Sequence, residues 1–427
     1  MSCAVRSSGR PSSQALEARP DAFEVNAMAY NILFQYGQIP LANGSYPAWV
    51  CESYPYVVDH PELRWEHRFD VITATIARQS PDLLALNEMR GGFEVPRRAD
   101  LPEPQQDPAY GPPQIRDMTR WLRDEAPGPY QWLSVRDVDA SMITYDPHKT
   151  ERWPGGGCRR DMSANACTAY DPRTDHYSSK NYLVFRSDRF DLEEAGAVEL
   201  PTSMLSERRF APWARLRERS SGLAILAMAV HLDPFSGAHR IHSARRILEF
   251  IETMHPTSTV VLGDFNTQMN SADDCVCGCG SRAGCECPES LLASCTGQST
   301  YRTLTASLID TFLEGGGARD ATSVMTFRVP SGQTWRSSEP CWPHALQGEG
   351  RAHLPEIAIE RGRARVDYIF VTPGVAVLDA AIATPEVFEL SIDAARRTIH
   401  PSDHFPVTAT LRVGPSPRGT DRVSVRR

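Results

Sequence analysis

The sequence predicts an α/β fold in which two mixed β-sheets pack together and are flanked by helices. Short apolar segments bounded by Gly, Pro or polar clusters recur along the 427 residues, and helical patterns lie between several of them. Each sheet face in such a chain must be covered, which favours two packed sheets with helices outside. Hydrophobic residues at 41% and charged residues at 23% allow a sizeable core.

Seven segments are predicted to be buried strands. Each is short, rich in aliphatic residues and followed by a turn signal or a polar cluster. In chain order they are Phe23 to Tyr30, Leu83 to Leu86, Tyr182 to Phe185, Leu223 to Val230, Thr259 to Leu262, Val366 to Val371 and Val407 to Leu411.

Two segments between these strands are predicted to be amphipathic helices. From Ala238 to Met254 the apolar residues share one face, while charged residues lie on the other. The apolar face consists of Ile241, Ala244, Ile247, Leu248, Ile251 and Met254, and the outward residues are Arg245, Arg246 and Glu249. From Trp65 to Ala77 the same spacing aligns Phe69, Ile72 and Ile76, and Pro81-Asp82 then ends the helix.

Five long stretches interrupt these elements. They are rich in Pro, Gly and charge and show little periodicity, and loops of such length are uncommon unless functional or disordered. We expect either walls that shape a substrate site or plain surface elaboration. They are Asn43 to Pro61, Gly91 to Pro113, Ser141 to Tyr177, Asn270 to Ser299 and Pro330 to Gly362.

The net charge and the hydropathy of the chain argue against several classes of protein. A net charge of −8 argues against capture of nucleic acid by general electrostatic attraction, although a basic groove confined to a site is compatible with it. No run approaches the ~18 apolar residues of a membrane span. The first twenty residues lack the apolar core of a secretory signal, which favours a cytoplasmic protein. We predict a disordered tail at 1–21, one domain over 22–413, and a basic tail at 414–427.

Polar side chains follow two of the N-terminal strands. Glu88 ends an apolar strand, where a carboxylate is costly unless it is paired or bound to a metal. A strand-end residue turning to solvent is the alternative. Asn31 ends the first strand, and its alternative is an Asx turn before a loop.

A second group of polar residues lies towards the C-terminus. Asp264 and Asn266 are two positions apart, so their side chains share a face if the pleat of the strand persists through the turn. A Gly-Asp turn that simply ends the strand would have the same local sequence. His404 also lies beside a strand, and a lone histidine there is more often a structural residue.

These residue types together fit the hydrolysis of a phosphate ester. Carboxylates hold a hard divalent cation, a polar group places water, and a cationic imidazole stabilises developing charge. The chain has no Walker-type phosphate loop, GxSxG elbow or HExxH helix. The chemistry therefore requires no covalent intermediate.

Six short motifs resemble signatures of the endonuclease/exonuclease/phosphatase superfamily, which includes pancreatic deoxyribonuclease. They occur in the family's order: Ala29 to Asn31, Leu86 to Glu88, Val230 to Asp233, Gly263 to Asn266 (GDFN), Arg365 to Phe370 (RVDYIF) and Ser402 to Val407 (SDHFPV). One such motif alone would be weak evidence of a resemblance. Six motifs in the same order, which together cover nearly the whole chain, are strong evidence. The resemblance implies a four-layer α/β sandwich with its metal site at one edge, where strand ends meet loops.

The resemblance also implies which residues bind a metal and the phosphate. Glu88 is expected to coordinate Mg²⁺, with Mn²⁺ or Ca²⁺ as alternatives. Asp403 and Asn31 are expected on the metal side, and Asn31 also orients water or phosphate. Asn266 is expected to bind a phosphate oxygen or the metal, and His231 is expected to bind a phosphate oxygen.

The remaining implied roles concern proton transfer and charge. Asp264 is expected to position or deprotonate the attacking water. Asp367 is expected to fix the ring of His404 and keep it protonated, so that the imidazolium stabilises the transition state. Asp233 is expected to orient His231 or to add metal affinity.

The predicted function is therefore a Mg²⁺-dependent phosphoric ester hydrolase acting on a small or medium phosphorylated substrate. The first alternative is a nuclease, since Trp and Arg are interleaved in the insertions. A sphingomyelinase-like lipid phosphodiesterase is the second, and a non-catalytic binding module on this fold is the third. Neither the substrate nor the oligomeric state is indicated by any pattern.

Six of the 11 cysteines form a cluster outside the family pattern: Cys275, Cys277, Cys279, Cys285, Cys287 and Cys295. The spacing lacks the CxxC pairs of ordinary zinc knuckles, so a structural zinc site and disulfides both remain open, with free thiols as a third reading. Cys158 and Cys167 are a further candidate bridge. Disulfides would indicate a secreted protein.

Overall fold

The structure is a computed structural model. It describes residues 21–33, 65–89, 114–138, 181–202, 208–234, 236–269, 297–319, 321–323, 325–328, 358–361, 365–392, 395–399 and 401–415. Most of the two predicted tails (all but residues 21, 414 and 415), the cysteine cluster, and most of the five predicted insertions lie outside these residues. The predictions made for them therefore stay predictions.

The first sheet has six strands in the order β13-β16-β1-β2-β4-β3. Strands β1 and β2 are parallel and the other neighbours are antiparallel, so the sheet is mixed. The strands are β1 (Phe23–Asn31), β2 (Leu83–Asn87), β3 (Tyr130–Leu133), β4 (Tyr182–Arg186), β13 (Ala376–Ile382) and β16 (Val407–Val413).

The second sheet also has six strands, in the order β5-β6-β7-β8-β12-β9. Here β7 and β8 form the parallel pair. The strands are β5 (Phe190–Leu200), β6 (Arg209–Glu218), β7 (Ala224–His231), β8 (Thr259–Asp264), β9 (Ile309–Asp310) and β12 (Asp367–Val371). Two antiparallel hairpins accompany the sheets, formed by β10 (Met325–Arg328) with β11 (Ala358–Arg361) and by β14 (Phe388–Ile392) with β15 (Ala395–Ile399).

The described helices cover the outer faces of the two sheets. Helices α1 and α2 pack on the first sheet, and α4 and α5 pack on the second. None of the helices in the described residues is long and apolar enough to cross a membrane. The helices are α1 (Trp65–Gln79), α2 (Gln114–Asp124), α3 (Val135–Val138), α4 (Gly237–Met254), α5 (Thr300–Thr305) and α6 (Thr311–Glu314).

Strand β1 shows why its residues are apolar on both faces. Val25, Ala27 and Ala29 point into the core between the sheets, while Met28 and Tyr30 point into the core beneath α1 and α2. The second half of β1 is covered on both sides and so reads as an apolar run, whereas two polar residues near its start are exposed. The predicted fold of two packed mixed sheets flanked by helices is confirmed.

Helix α4 begins and ends at recognisable caps. The Ser236 side chain accepts the His239 N–H at its start, and His255 adopts a left-handed conformation with φ 46° at its end. Ala244, Ile247 and Ile251 lie in the core of the second sheet, as the periodicity predicted.

The structure differs from the prediction in its less apolar strands. Strand β5 alternates few apolar residues with acidic ones and lies at a sheet edge, where most of its side chains are exposed or half-buried. Ala358–Arg361, predicted to belong to a loop, forms strand β11. An edge strand lacks the uninterrupted burial that makes an inner strand recognisable.

Candidate active site

The site forms where strands of both sheets end at the same edge. In the first sheet the last residues of β1 and β2, Asn31 and Asn87, are in register. In the second sheet Asp264 ends β8 and is in register with His231 on one side and Asp367 on the other. The polar residues predicted from separate motifs are therefore brought together by strand pairing.

His404 and Asp367 form a buried hydrogen-bonded pair. The distance between His404 Nδ1 and Asp367 Oδ2 is 2.8 Å. Within the described part of the chain, Asp367 Oδ1 has no hydrogen-bond partner, so the charge of this carboxylate is balanced mainly through its other oxygen. Burial alone would lower the pKa of His404, but the carboxylates of Asp367 and Asp403 outweigh it and hold that pKa well above its usual range.

The second ring nitrogen of His404 faces two further carboxylates. His404 Nε2 lies 3.9 Å from Asp264 Oδ2 and 3.9 Å from Asp403 Oδ1. These distances are too long for hydrogen bonds, so in this structure the Nε2–H donates to neither of these carboxylates. A protonated imidazole in this position can donate to a group placed between them.

Asp264 lies at the centre of the cluster. Its Oδ1 accepts the Asn266 N–H at 2.8 Å and its Oδ2 accepts Asn31 Nδ2 at 3.0 Å. His231 Nε2 is 3.6 Å from Asp264 Oδ2. Burial, reinforced by the charge of Asp367, raises the pKa of Asp264 to about 7. A carboxylate with such a pKa can take up a proton near neutral pH.

Glu88 follows β2 with a strained backbone. Its φ is 63°, a left-handed conformation that costs a non-glycine residue about 1–3 kcal/mol and is found preferentially at functional sites. Asn31 Nδ2 donates to Glu88 Oε1 at 3.1 Å, and His231 Nε2 lies 3.9 Å from the same oxygen. The strained turn thus aims the carboxylate back towards Asp264 instead of along the strand.

Comparison with known proteins agrees with this geometry. A model of the endonuclease/exonuclease/phosphatase family matches residues 28–404, which include every predicted site residue. The chain belongs to this family. Members of the family are hydrolases acting on phosphate esters.

Solved structures show the same fold at low sequence identity. An endonuclease/exonuclease/phosphatase family protein from Bacteroides thetaiotaomicron is 16% identical, with a TM-score of 0.52, over 92% of this chain and 98% of that one. A mannosyl-6-phosphatase from the same organism is 15% identical, with a TM-score of 0.49, over 91% and 99%. No curated protein matches the chain by sequence.

The donor set fits the divalent metal that this family typically uses. The carboxylates of Glu88 and Asp264 both accept hydrogen bonds from Asn31 Nδ2, and Asp403 adds a third carboxylate nearby. Hard cations prefer such carboxylate oxygens. The Asn31 oxygen itself accepts the Leu33 N–H. Burial raises the pKa of Asp403, and the charge of Glu88 adds to that rise, so a cation would relieve a real repulsion.

A second grouping of ligand atoms is also present. One ligand atom each from Asp264, Asp367 and His404 lie within 4.8 Å of one another. However, an imidazole that its carboxylate neighbours keep protonated has no lone pair to give to a metal. The oxygen-rich side around Glu88 therefore fits a cation better than the side around His404.

Asn266 differs from the sequence expectation, and Asp233 has a contact that the sequence did not predict, while its expected action on His231 stays a prediction. The pleat does not persist past Asp264: Asn266 has φ 48°, its N–H turns back to Asp264, and its Nδ2 donates to Leu232 O at 3.0 Å. Asp233 is fully buried, and its Oδ1 accepts the Ser236 N–H at 3.0 Å, so it shapes the turn that leads from His231 into α4.

Sequence reasoning missed two residues that support the site. Ser323 Oγ donates to Asp367 Oδ2 at 2.7 Å and accepts the Asp367 N–H at 3.1 Å. Arg68, fully buried on α1, donates to the carbonyls of Ile32 and Pro401 at 2.6 and 2.7 Å and so joins the segments that carry Asn31 and His404. The only signal for Arg68 was a charge on the apolar side of a predicted helix.

Proposed function

We propose that this protein is a metal-dependent phosphoesterase in which activated water attacks phosphorus in line. The observation that carries the proposal is the arrangement around His404. A cationic imidazole, held by Asp367 through Nδ1, directs Nε2 towards Asp264, whose pKa is raised to about 7. An acid and a base of this kind, both buried, are what water attack on a phosphate ester requires.

Asp264 is the proposed general base. Its Oδ2 already accepts a hydrogen bond from Asn31, and its Oδ1 one from the Asn266 N–H, so the side chain is fixed in direction. A fixed carboxylate can accept the proton of a water molecule without first reorganising. Asn31 and Asn266 thus have an orienting role that the structure supports directly, beside the phosphate contacts expected from the resemblance.

His404 and His231 are the proposed donors to the phosphoryl oxygens. Their Nε2 atoms lie 3.9 and 3.6 Å from the same oxygen, Asp264 Oδ2. If Asp264 holds the attacking water, both ring nitrogens lie close enough to contact the phosphoryl group that this water attacks. Donors aimed in advance at developing negative charge stabilise the transition state.

Glu88 and Asp403 would hold the metal, for which Mg²⁺ is our first candidate. Asn31, the third predicted ligand, directs Nδ2 at Glu88 and accepts the Leu33 N–H with Oδ1, so its amide would have to turn to bind the cation. A bound divalent cation supplies Lewis acidity and neutralises charge on the phosphoryl group. The side chain of Glu88 is 18% exposed and that of Asp403 24% exposed, so the proposed metal side of the cluster is open to solvent. The buried base and imidazole form its inner wall.

The substrate class is tested by a hydrolysis screen of the full chain. Sugar phosphates, nucleotides, phosphodiesters, single- and double-stranded nucleic acids and sphingomyelin vesicles are incubated with Mg²⁺, Mn²⁺ or EDTA. We expect metal-dependent release of phosphate or phosphomonoester from a small or medium substrate, reduced by orders of magnitude but still measurable in Asp264→Asn. Turnover insensitive to both EDTA and Asp264→Asn would contradict the proposal, and cleavage of nucleic acid or lipid alone would reassign the substrate.

A further inference from the structure

Two buried amides connect the sheets beneath the site. Asn87 ends β2 and Asn181 immediately precedes β4, both in the first sheet. Asn87 Nδ2 donates to Asn181 Oδ1 at 2.7 Å. Asn87 is fully buried and Asn181 is 6% exposed. We refer to these two residues as the amide clamp.

The amide clamp reaches three strands of the second sheet. Asn87 Oδ1 accepts the Asp264 N–H at 3.0 Å, and Asn87 Nδ2 also donates to Val230 O at 3.1 Å. Asn181 Nδ2 donates to Phe210 O at 3.0 Å and to Ala229 O at 2.8 Å. Every amide hydrogen of the clamp is therefore used, and three of the four bind across the gap between the sheets.

The backbone of β8 is shaped to meet the clamp. Gly263 has φ +141°, and a Cβ built there would lie 1.9 Å from Val230 O. Only glycine permits this close approach, after which the Asp264 N–H points to Asn87 in the other sheet. The position of the proposed general base thus depends on an amide of the opposite sheet.

The contacts of Asn87 lie at or next to residues of the site. Asn87 precedes Glu88, Val230 precedes His231, and Asp264 is bound directly. Glu88 belongs to the first sheet, whereas His231 and Asp264 belong to the second. The spacing between the two halves of the site is therefore set by whatever fixes the distance between the sheets at this edge.

We propose that the amide clamp is a positioning unit that fixes the spacing of Glu88 from Asp264 and His231. Apolar side chains from both sheets pack in the core between them, and such side chains alone would hold the sheets together. Amides add direction, because their hydrogen bonds tolerate little change in distance or angle. The inference rests on the proposed hydrolysis, since the spacing matters only to a reaction that uses both halves.

Asn181→Ala tests the proposal, because no hydrogen bond joins the Asn181 side chain to a predicted site residue in the described structure. We expect kcat to fall about 10- to 100-fold with KM nearly unchanged, the range seen when residues that orient a site are removed. In an Asp264→Asn background the same substitution should cause no further loss, because groups that act as a unit lose their function once. If Asn181→Ala does not fold, Asn181→Ser replaces it.

Leu411→Ala is the matched control. Leu411 is fully buried in the same core but lies in register with Val25, towards the other end of β1 from Asn31. It should lose stability with no change in kcat below its unfolding temperature. A kcat for Asn181→Ala equal to that of the control, or a loss repeated in the Asp264→Asn background, would overturn the proposal.

Hydrogen exchange separates failure of the clamp from failure of the proposed function. If the wild-type chain hydrolyses no phosphate ester, the exchange rate of the Asp264 amide still reports whether the clamp holds it. We expect exchange in a peptide covering Asp264 to be faster in Asn181→Ala than in Leu411→Ala. Equal rates in the two variants would show that the clamp does not position the base.

Discussion

Two buried pairs of opposite charge lie two residues apart along β12 and its approach. Arg365 pairs with Asp310, and Asp367 pairs with His404. All four side chains are at most 10% exposed. The two cations have different surroundings. Arg365 is enclosed by its partners, whereas Nε2 of His404 is directed into the site.

Both members of the Arg365–Asp310 pair have several partners. Both terminal nitrogens of Arg365 donate to Asp310, and the guanidinium lies 4.3 Å from the Tyr368 ring and 4.9 Å from the Phe312 ring. Tyr301 Oη also donates to Asp310, at 2.8 Å. His404, in contrast, uses Nδ1 and holds Nε2 at 3.9 Å from two carboxylate oxygens. We infer that the first pair serves stability and the second serves chemistry.

The largest effect is expected on stability from Arg365→Met. It leaves the Asp310 carboxylate buried without its cation, which should lower the free energy of unfolding by about 3–5 kcal/mol. Turnover per folded molecule should not change. Urea unfolding and kcat below the transition would be measured together. A variant with normal stability and low kcat would reverse the roles assigned to the two pairs.

An exposed pair provides the control for that measurement. Arg412 and Glu24 are 2.7 Å apart, and their side chains are 53% and 56% exposed. Because water screens such a pair, Arg412→Met should change the free energy of unfolding by less than about 1 kcal/mol. A loss as large as that of Arg365→Met would mean that burial does not distinguish the pairs.

The next effect is expected on turnover from His404→Ala. Removing one preorganised charge from a site typically costs about 10²–10³ in kcat. Asp367→Asn should lose much of the same factor, since its carboxylate keeps the ring oriented and protonated. The double variant should be far less impaired than the product of the single effects. Multiplicative losses, measured on a substrate verified by the screen, would show that the pair does not act as one unit.

The sequence predicted the partners within the second pair better than the surroundings of either pair. Asp367 begins the apolar strand β12 and His404 lies just before the apolar strand β16, each within a recognisable motif, and the packing of the two sheets then brings the motifs together. Ser323 escaped prediction because its contact to Asp367 spans 44 residues and no pattern marks it. The turn at Asn266 was misjudged because a left-handed residue reverses the side-chain direction that a pleat would give.

The fold was predictable wherever burial is complete on both faces. Strands β1, β2 and β8 are apolar runs and were recognised, whereas the exposed edge strand β5 was not. The amide clamp illustrates the remaining limit. Asn181 is a single polar residue before a strand, and only the approach of the second sheet gives it two of its three partners.

A smaller effect is expected on metal affinity from Glu88→Gln. The amide keeps the shape and the acceptor oxygen that faces Asn31 but removes the anion that a hard cation requires. The Mg²⁺ concentration for half-maximal activity should rise by about tenfold or more. Glu24→Gln, at an exposed position far from the site, is the control. Identical Mg²⁺ titrations for Glu88→Gln and the parent would exclude Glu88 as a ligand.

The smallest effect concerns a third way of holding a buried charge. Glu218, 4% exposed, is bound by neutral groups of its own turn: its carboxylate accepts the Ser221 N–H and the hydroxyls of Ser220 and Ser221. Burial would raise the pKa of Glu218, but the hydrogen bonds from Ser221 and Ser220 outweigh it and lower that pKa below its usual 4.5.

Because the folded pKa of Glu218 is depressed, the stabilisation is complete above pH 4.5 and is lost as the pH falls through the folded value. Glu218→Gln should therefore cost about 1 kcal/mol at pH 7 and progressively less below pH 4.5, with kcat unchanged. Urea unfolding of both proteins across this range measures the difference, and a constant difference would mean that neutral donors do not favour the charged form here.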